Sequence, residues 1–303
     1  MIYLKLFLTA VFWGGTFIAG RSLGGHVDPF SAAFFRFVIA SICLVAVTWH
    51  REGRLPMPGS RQWLPLVVLG MTGVFSYNVL FFKGLSLIEA GRASVIIANN
   101  PVFIALFSAI LFREPLRPSK AMGVVLSVFG ALVVITRGEF AALLSGGFGW
   151  GEIYIFGCVA SWVTYSLVGK VVMREIPPLE AVSYASLIGA AALAVPAWME
   201  GMPKALFAYR AVDWLNLAYL GVCGTVLGFV WYYQGIRKIG AIRASQFINF
   251  VPVSAIVLAF LLLGEPVTPS LVAGGALVVC GVYLTNRPES SASAAQGADG
   301  GKP

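Results

Sequence analysis

Six polar side chains lie within long apolar stretches of the sequence. They are Arg36, Asn78, Asn99, Asn100, Gln246 and Asn249. A guanidinium and amides can donate and accept several hydrogen bonds, which suits recognition of a carboxylate, an amine or a hydroxyl group. Because an unpaired polar group in an apolar environment costs free energy, such residues face the interior of a helix bundle. Binding of a solute is one interpretation, and hydrogen bonding between helices, or for Arg36 reaching towards the membrane surface, is the other.

Large aromatic side chains accompany these polar residues. Trp13 and Trp162 lie well inside their apolar stretches rather than at the ends, where membrane tryptophans are usually found. Together with Phe17, Tyr165 and Trp231 they are candidates for the wall of a central cavity. The alternative is that these rings only fill contacts between helices.

Residue patterns typical of catalysis are not found in the sequence. It contains no paired carboxylates and no nucleophile next to a base. His26 and His50 are far apart, so neither a metal nor another cofactor is expected. No phosphate-binding glycine motif followed by lysine occurs, which argues against an ATP-driven pump. A membrane enzyme, a receptor or a channel remains a weaker alternative, since no filter sequence is visible either.

The elements that position these residues are long apolar helices. Of the 303 residues, 58% are hydrophobic and only 11% are charged, and the mean hydropathy is +0.85. The apolar stretches cover residues 3–21, 29–49, 63–83, 92–112, 119–137, 150–170, 179–199, 212–236, 242–263 and 269–286. Each is long enough to cross a bilayer, and only helices or closed barrels satisfy their backbone there. The sequence therefore predicts an all-α integral membrane bundle of ten transmembrane helices.

The distribution of the basic residues indicates the membrane topology. The net charge of +8 comes from small groups of Lys and Arg between apolar stretches, so nucleic-acid binding is not expected. Of the 21 Lys and Arg residues, fourteen fall on one side of the predicted membrane, six on the other, and Arg36 lies within a span. Positive residues favour the cytoplasmic side, so both termini are predicted to be cytoplasmic.

The two halves of the sequence repeat one another. Gly84 and Gly235 are separated by 151 positions, as are Trp63 and Trp214, whereas Trp13 and Trp162 are separated by 149. Since each half has five spans, the halves must enter the membrane in opposite orientations. We predict one repeat over residues 1–137, an inverted repeat over 138–286, and a disordered cytoplasmic tail over 287–303.

Two prolines occupy matching positions in these halves. Pro101 and Pro252 each remove a helix hydrogen bond close to the amides named above. They are candidate hinges that expose backbone carbonyls to a ligand, as in the broken helices of transporters. A simple structural kink is the alternative.

Several motifs resemble those of a known family. Residues 83–90, Lys-Gly-Leu-Ser-Leu-Ile-Glu-Ala, are followed by Asn100-Pro101 and by residues 112–116, Phe-Arg-Glu-Pro-Leu, and the second half repeats this order at Gly235, Pro252 and 264–268. In sequence the chain resembles the EamA branch of the drug/metabolite transporter superfamily over about residues 3–286. The resemblance implies a ten-helix secondary transporter of small metabolites, often an amino-acid exporter.

These observations lead to one hypothesis and one close alternative. We expect a carrier in the inner (plasma) membrane, surrounded by lipid, that moves a small neutral or zwitterionic metabolite, for example an amino acid, by alternating access. Resemblance alone favours export. The alternative solute is planar, such as a nucleoside, a vitamin or a drug cation, because it would stack on aromatic rings. The coupling ion and self-association into a homo-oligomer stay open.

Overall fold

The structure consists of helices in the order expected for a membrane bundle. The computed structural model describes residues 1–112, 118–139, 149–239, 244 and 246–285, apart from the side chains of Glu52, Phe112 and Gln246. Its helices are α1 Ile2–Leu23, α2 Pro29–Arg51, α3 Ser60–Leu87, α4 Ala90–Leu111, α5 Pro118–Ile135, α6 Trp150–Val172, α7 Pro178–Met199, α8 Ala211–Ile239, α9 Phe247–Leu263 and α10 Pro269–Thr285. Eight are long and apolar enough to cross a membrane, and α9 and α10 are shorter apolar helices. The predicted all-α bundle of ten helices is confirmed.

Local signals set the helix ends. The Asp28 carboxylate accepts a hydrogen bond from the amide of Phe30 at 2.8 Å and Pro29 takes the first helical position, which together begin α2. Gly53, with a φ of 69°, ends α2 in the left-handed conformation that glycine tolerates. A short helix, Met202–Ala205, lies between α7 and α8. Residues 140–148 and the tail 287–303 lie outside the described residues, so the predicted repeat limits and the disordered tail stay predictions.

Alternate helices run in opposite directions across the bundle. Helix α1 begins, and α10 ends, at the same end of the bundle, which we call the terminal face. The opposite end, where α1 ends and α2 begins, is the far face. Helices with odd numbers therefore run from the terminal face to the far face, and helices with even numbers return.

Equivalent contacts in the two halves reveal a pseudo-twofold arrangement. A Cβ atom on Gly84 in α3 would lie 2.5 Å from Ile155 in α6, and one on Gly235 in α8 would lie 2.5 Å from Leu6 in α1. The two glycines are related by the 151-residue offset, and Leu6 and Ile155 by the 149-residue offset. In each case the absence of a side chain lets two helices approach closely, which is how helices associate in membranes. The same packing is thus made twice, with the halves exchanged.

Helices α5 and α10 form a seam of small residues within the chain. A Cβ atom on Gly130 would lie 2.6 Å from the carbonyl oxygen of Gly274, and one on Gly281 would lie 2.6 Å from the carbonyl oxygen of Gly123. These glycines lie on both helices, so each backbone approaches the other. The seam joins the two halves at one edge of the bundle.

Four helices are irregular at positions that bear on the interior. Segments Gly70–Ser76 of α3 and Leu220–Leu227 of α8 are π-helical and occupy equivalent positions in the two halves. Helix α4 is interrupted between Ile97 and Asn100, next to Pro101. Helix α9 begins as a 3-10 turn before Pro252, and its last turn is also π-helical. Such irregular turns are frequent at functional sites.

Candidate functional site

A large cavity lies between the two halves. Its volume is about 1080 Å³, slightly above the usual range for sites that bind small molecules. Ten of the residues singled out in the sequence line it: Trp13, Phe17, Arg36, Asn78, Asn100, Pro101, Trp162, Tyr165, Asn249 and Pro252. They come from six helices and both halves. The structure therefore brings most of the predicted set together in one place.

The cavity reaches the terminal face but not the far face. Its lining includes Lys120 near the beginning of α5, Lys170 near the end of α6 and Thr285 at the end of α10, all at the terminal face. Towards the far face the lining stops at side chains such as Phe17, Phe81 and Ser94, about one to two turns from the far-face ends of their helices. A solute could thus enter from one side only in this conformation.

Aromatic rings form two walls of the cavity. On one wall, Trp13 donates a hydrogen bond from Nε1 to the carbonyl oxygen of Gly224 at 2.9 Å, and its ring lies 5.4 Å from that of Tyr232. On the other, Trp162 lies 5.3 Å from Tyr77 and 5.1 Å from Tyr165. These centroid distances are typical of favourable ring pairs. The walls can bind the apolar body of a solute.

Arg36 is held at the inner end of the cavity by residues from both halves. Its side chain is only 8% exposed. Nη1 donates to Oδ1 of Asn78 in α3 at 2.9 Å, and Nε donates to Oγ1 of Thr225 in α8 at 3.3 Å. Asn78 donates in turn to the carbonyl oxygens of Gly73 and Val74, which fixes its Oδ1 towards Arg36. Arg36 therefore does not reach towards the far-face surface.

Three predicted binding residues have other surroundings or fall outside the description. Asn99 is buried and makes a contact between helices, because its Oδ1 accepts a hydrogen bond from Ser127 in α5 at 2.7 Å. Trp231 lies outside the cavity, beside Phe12 and under the ammonium group of Lys5. The side chain of Gln246 lies outside the described residues. Asn99 thus takes the structural alternative considered for the amides.

Several lining residues escaped the sequence analysis. Thr225 and Phe229 line the cavity, and they are the repeat equivalents of Val74 and Asn78, which also line it. Adding 151 to Asn78 would have found Phe229, but Val74 was not a candidate, so the same step would have missed Thr225. Tyr232 and Tyr233 adjoin Trp231 in sequence but lie on the side of α8 that faces the cavity.

Charged contacts hold the far face together. Arg92 in α4 forms an ion pair with Glu152 in α6, Nη2 to Oε1, at 2.8 Å, and also donates to the carbonyl oxygen of Ile135 in α5. The carboxylate of Glu265, between α9 and α10, accepts hydrogen bonds from the first two amides of α4 at 2.9 and 3.1 Å. It also lies 3.9 Å from Nε of Arg21 at the end of α1. These contacts, which we call the far-face network, join five elements where the cavity is closed.

Comparisons with known proteins agree with this architecture. The profile of the EamA-like transporter family matches residues 1–136 and 149–287. YyaM of Bacillus subtilis (strain 168), named an uncharacterized transporter, is 29% identical over 94% of this chain and 93% of its own length. A "probable terminal-alkyne amino-acid exporter" of Streptantibioticus cattleyicolor is 30% identical over 93% of this chain and 92% of its own. A crystal structure with 23% identity shares the fold, with a TM-score of 0.63 over 94% of this chain and 96% of the other.

Proposed function

The chain belongs to the EamA-like transporter family, a family of multi-pass membrane transporters of small molecules, and we propose that it is a secondary carrier for a small metabolite such as an amino acid. The observation that carries this proposal is a cavity between pseudo-symmetric halves that reaches one face and is closed at the other. Inverted repeats can exchange their packings, so that a site at their interface faces each side in turn. Alternating access then moves the solute without an open pore.

The orientation and direction of transport are part of the proposal. The excess of Lys and Arg at the terminal face supports a cytoplasmic location for both termini in the plasma membrane, so the cavity described above faces the cytoplasm. This conformation opens to the side from which an exporter takes up its solute. The exporter from Streptantibioticus cattleyicolor points the same way, although its name specifies a particular amino-acid type.

A planar solute is the second candidate. The rings of Trp162 and Tyr165 are 5.1 Å apart and stacked, and a flat heterocycle could extend such a stack. The charges in the cavity argue against a drug cation as the solute. Arg36, Lys120 and Lys170 line the cavity, and no Asp or Glu is among the described residues that line it. A nucleoside or a vitamin fits these charges better than a cation does.

The proposal is tested by uptake into liposomes that contain the purified protein. We expect saturable uptake of at least one member of a labelled panel of amino acids, organic acids and nucleosides. Trp13→Ala removes the tryptophan of one aromatic wall and its hydrogen bond to Gly224. Burial of an aromatic side chain is worth a few kcal/mol, so the apparent KM should rise roughly tenfold or more. Trp198→Ala is the matched control because Trp198 in α7 is 68% exposed.

The panel also separates the candidates. Uptake of amino acids that nucleosides do not inhibit would support the first candidate, and the reverse would support the second. If no member of the panel is taken up, or if Trp13→Ala and Trp198→Ala behave alike, the cavity is not the transport site. Imposed proton or sodium gradients in the same vesicles identify the coupling ion, if there is one.

A further inference from the structure

Arg36 carries a buried charge without a carboxylate partner. In the described part of the chain, no Asp or Glu lies within ion-pair distance of it. Its side chain donates hydrogen bonds to two neutral oxygens, on Asn78 and Thr225, and the centroid of the Phe37 ring lies 5.4 Å from the guanidinium carbon. A guanidinium has five N–H donors, and these contacts use only two of them. A positive charge inside a membrane bundle is costly when no negative charge compensates it.

The equivalent helix contact in the second half is made without this charge. The position equivalent to Arg36 in the second half is Ala185, which lies 149 residues further along in α7. The surrounding packing is the same in both halves: Gly221 packs on Ile39 and the carbonyl of Arg36, and Gly70 packs on Ile188 and the carbonyl of Ala185. The contact at this position uses only the backbone carbonyl, and alanine occupies the position in the second half, so this helix packing does not require the guanidinium.

The partners of Arg36 are arranged to orient it rather than to neutralise it. Asn78 and Thr225 each direct a hydrogen bond to a carbonyl five residues earlier, Asn78 to Gly73 and Thr225 to Leu220. These carbonyls belong to the two π-helical segments, whose wider turns bring both side chains to Arg36. Each side chain then presents an oxygen to the guanidinium. Both N–H groups of Nη2 and one N–H group of Nη1 are left for another acceptor.

We propose that Arg36, oriented by Asn78 and Thr225, is a carboxylate subsite and that the solute is a small organic acid, amino acids included. This inference rests on the proposed carrier function. Arginine pairs with a planar carboxylate through two parallel hydrogen bonds, so one buried Arg36 matches one such group. The aromatic walls on either side bind the rest of the molecule. Lys120 and Lys170, at the terminal face, attract the same charge towards the opening.

The test uses two probes of nearly the same size and shape, the anion 3-phenylpropionate and its neutral amide. Binding to the purified full-length protein is followed by intrinsic tryptophan fluorescence, because Trp13 and Trp162 line the cavity. We expect the native protein to bind the acid roughly 30-fold or more tightly than the amide, in line with the cost of leaving a buried charge unpaired. Arg36→Gln should remove this preference by weakening the acid alone. Arg36→Lys keeps the charge and should retain part of the preference for the acid. This variant is the substitute test if Arg36→Gln does not fold.

The control and the contrary outcomes are specific. Lys83→Gln removes a charge from α3 that lies against the rings of Phe30 and Tyr154, outside the cavity, and should leave acid binding unchanged. Equal binding of acid and amide by the native protein, or binding of neither, would overturn the subsite. So would parallel weakening of both probes by Arg36→Gln, which indicates a purely structural role. Tighter binding of phenyl phosphate than of the acid would also reject a carboxylate.

The binding and transport measurements test the carboxylate subsite and the carrier function independently. Acid-selective binding without uptake into liposomes would leave the subsite in place and refute the carrier function. Saturable uptake of solutes without any preference for acids would leave the carrier function in place and refute the subsite.

Discussion

Replacing Glu152 by glutamine is expected to open the far face. The variant leaves the charge of Arg92 largely buried, with the carbonyl oxygen of Ile135 as its remaining described hydrogen-bond partner and Glu89 as a nearby carboxylate. Breaking a buried pair in this way costs about 3 kcal/mol or more. Amide hydrogens at the beginning of α4 should then exchange roughly a hundredfold faster. Hydrogen–deuterium exchange read by mass spectrometry, on peptides from the ends of α4 and α6, measures this directly.

A second ion pair at the same face provides the control. Arg137 and Glu89 lie 3.5 Å apart, but Arg137 is 64% exposed, and exposed pairs contribute at most about 1 kcal/mol. Glu89→Gln should therefore change exchange at these helix ends very little. If Glu152→Gln and Glu89→Gln accelerate exchange equally, or neither does, the buried pair does not hold the far face closed. Partial recovery in the charge-reversed double variant, Arg92→Glu with Glu152→Arg, would show that the pair itself matters.

Adding a single methyl group to the seam between α5 and α10 is expected to destabilise the whole bundle. The Cβ of Gly274→Ala would lie 2.5 Å from the carbonyl oxygen of Gly130 and 2.5 Å from the side chain of Val134. A carbonyl within a helix cannot move aside without disturbing its own hydrogen bond, so the two helices must separate. Overpacking of this kind costs about 1–3 kcal/mol. The unfolding temperature of the protein in detergent should fall accordingly.

The neighbouring glycine is the natural comparison. A Cβ on Gly275 would meet Val95 at 3.7 Å and Ile256 at 3.9 Å, both ordinary contacts. Gly275→Ala should therefore leave the unfolding temperature near that of the native protein. Equal effects of the two substitutions would show that helix propensity, and not the close approach at Gly274, controls stability at this seam.

The ten helices could be read from the sequence because each crosses a layer of fixed thickness. Apolar length therefore gives the number and order of spans, and the glycine and tryptophan repeat anticipates contacts such as Gly84 with Ile155. The observed helix boundaries differ from the predicted ones by a few residues. Helix α3, for example, extends from Ser60 to Leu87, whereas the sequence predicted residues 63–83.

The direction in which each side chain points was harder to predict. A soluble helix shows its buried face by contrast with polar residues, but both faces of a membrane helix are apolar. Nothing in the sequence distinguishes Trp231, which packs on Phe12, from the adjacent Tyr232, which lines the cavity. Asn99 and Asn100 illustrate the same difficulty, because only Asn100 lines the cavity and the break in α4 separates their directions.

The substitution of Ala185 for Arg36 across the pseudo-twofold has a thermodynamic consequence. If the two halves were identical, exchanging their packings would give two states of equal free energy, and the empty protein would populate both equally. Every residue that differs between equivalent positions adds to the difference between the states, whereas every shared residue cancels. The residues that differ between the two halves therefore determine the free-energy difference between the two states of the empty protein. They also determine the side of the membrane to which the empty cavity opens.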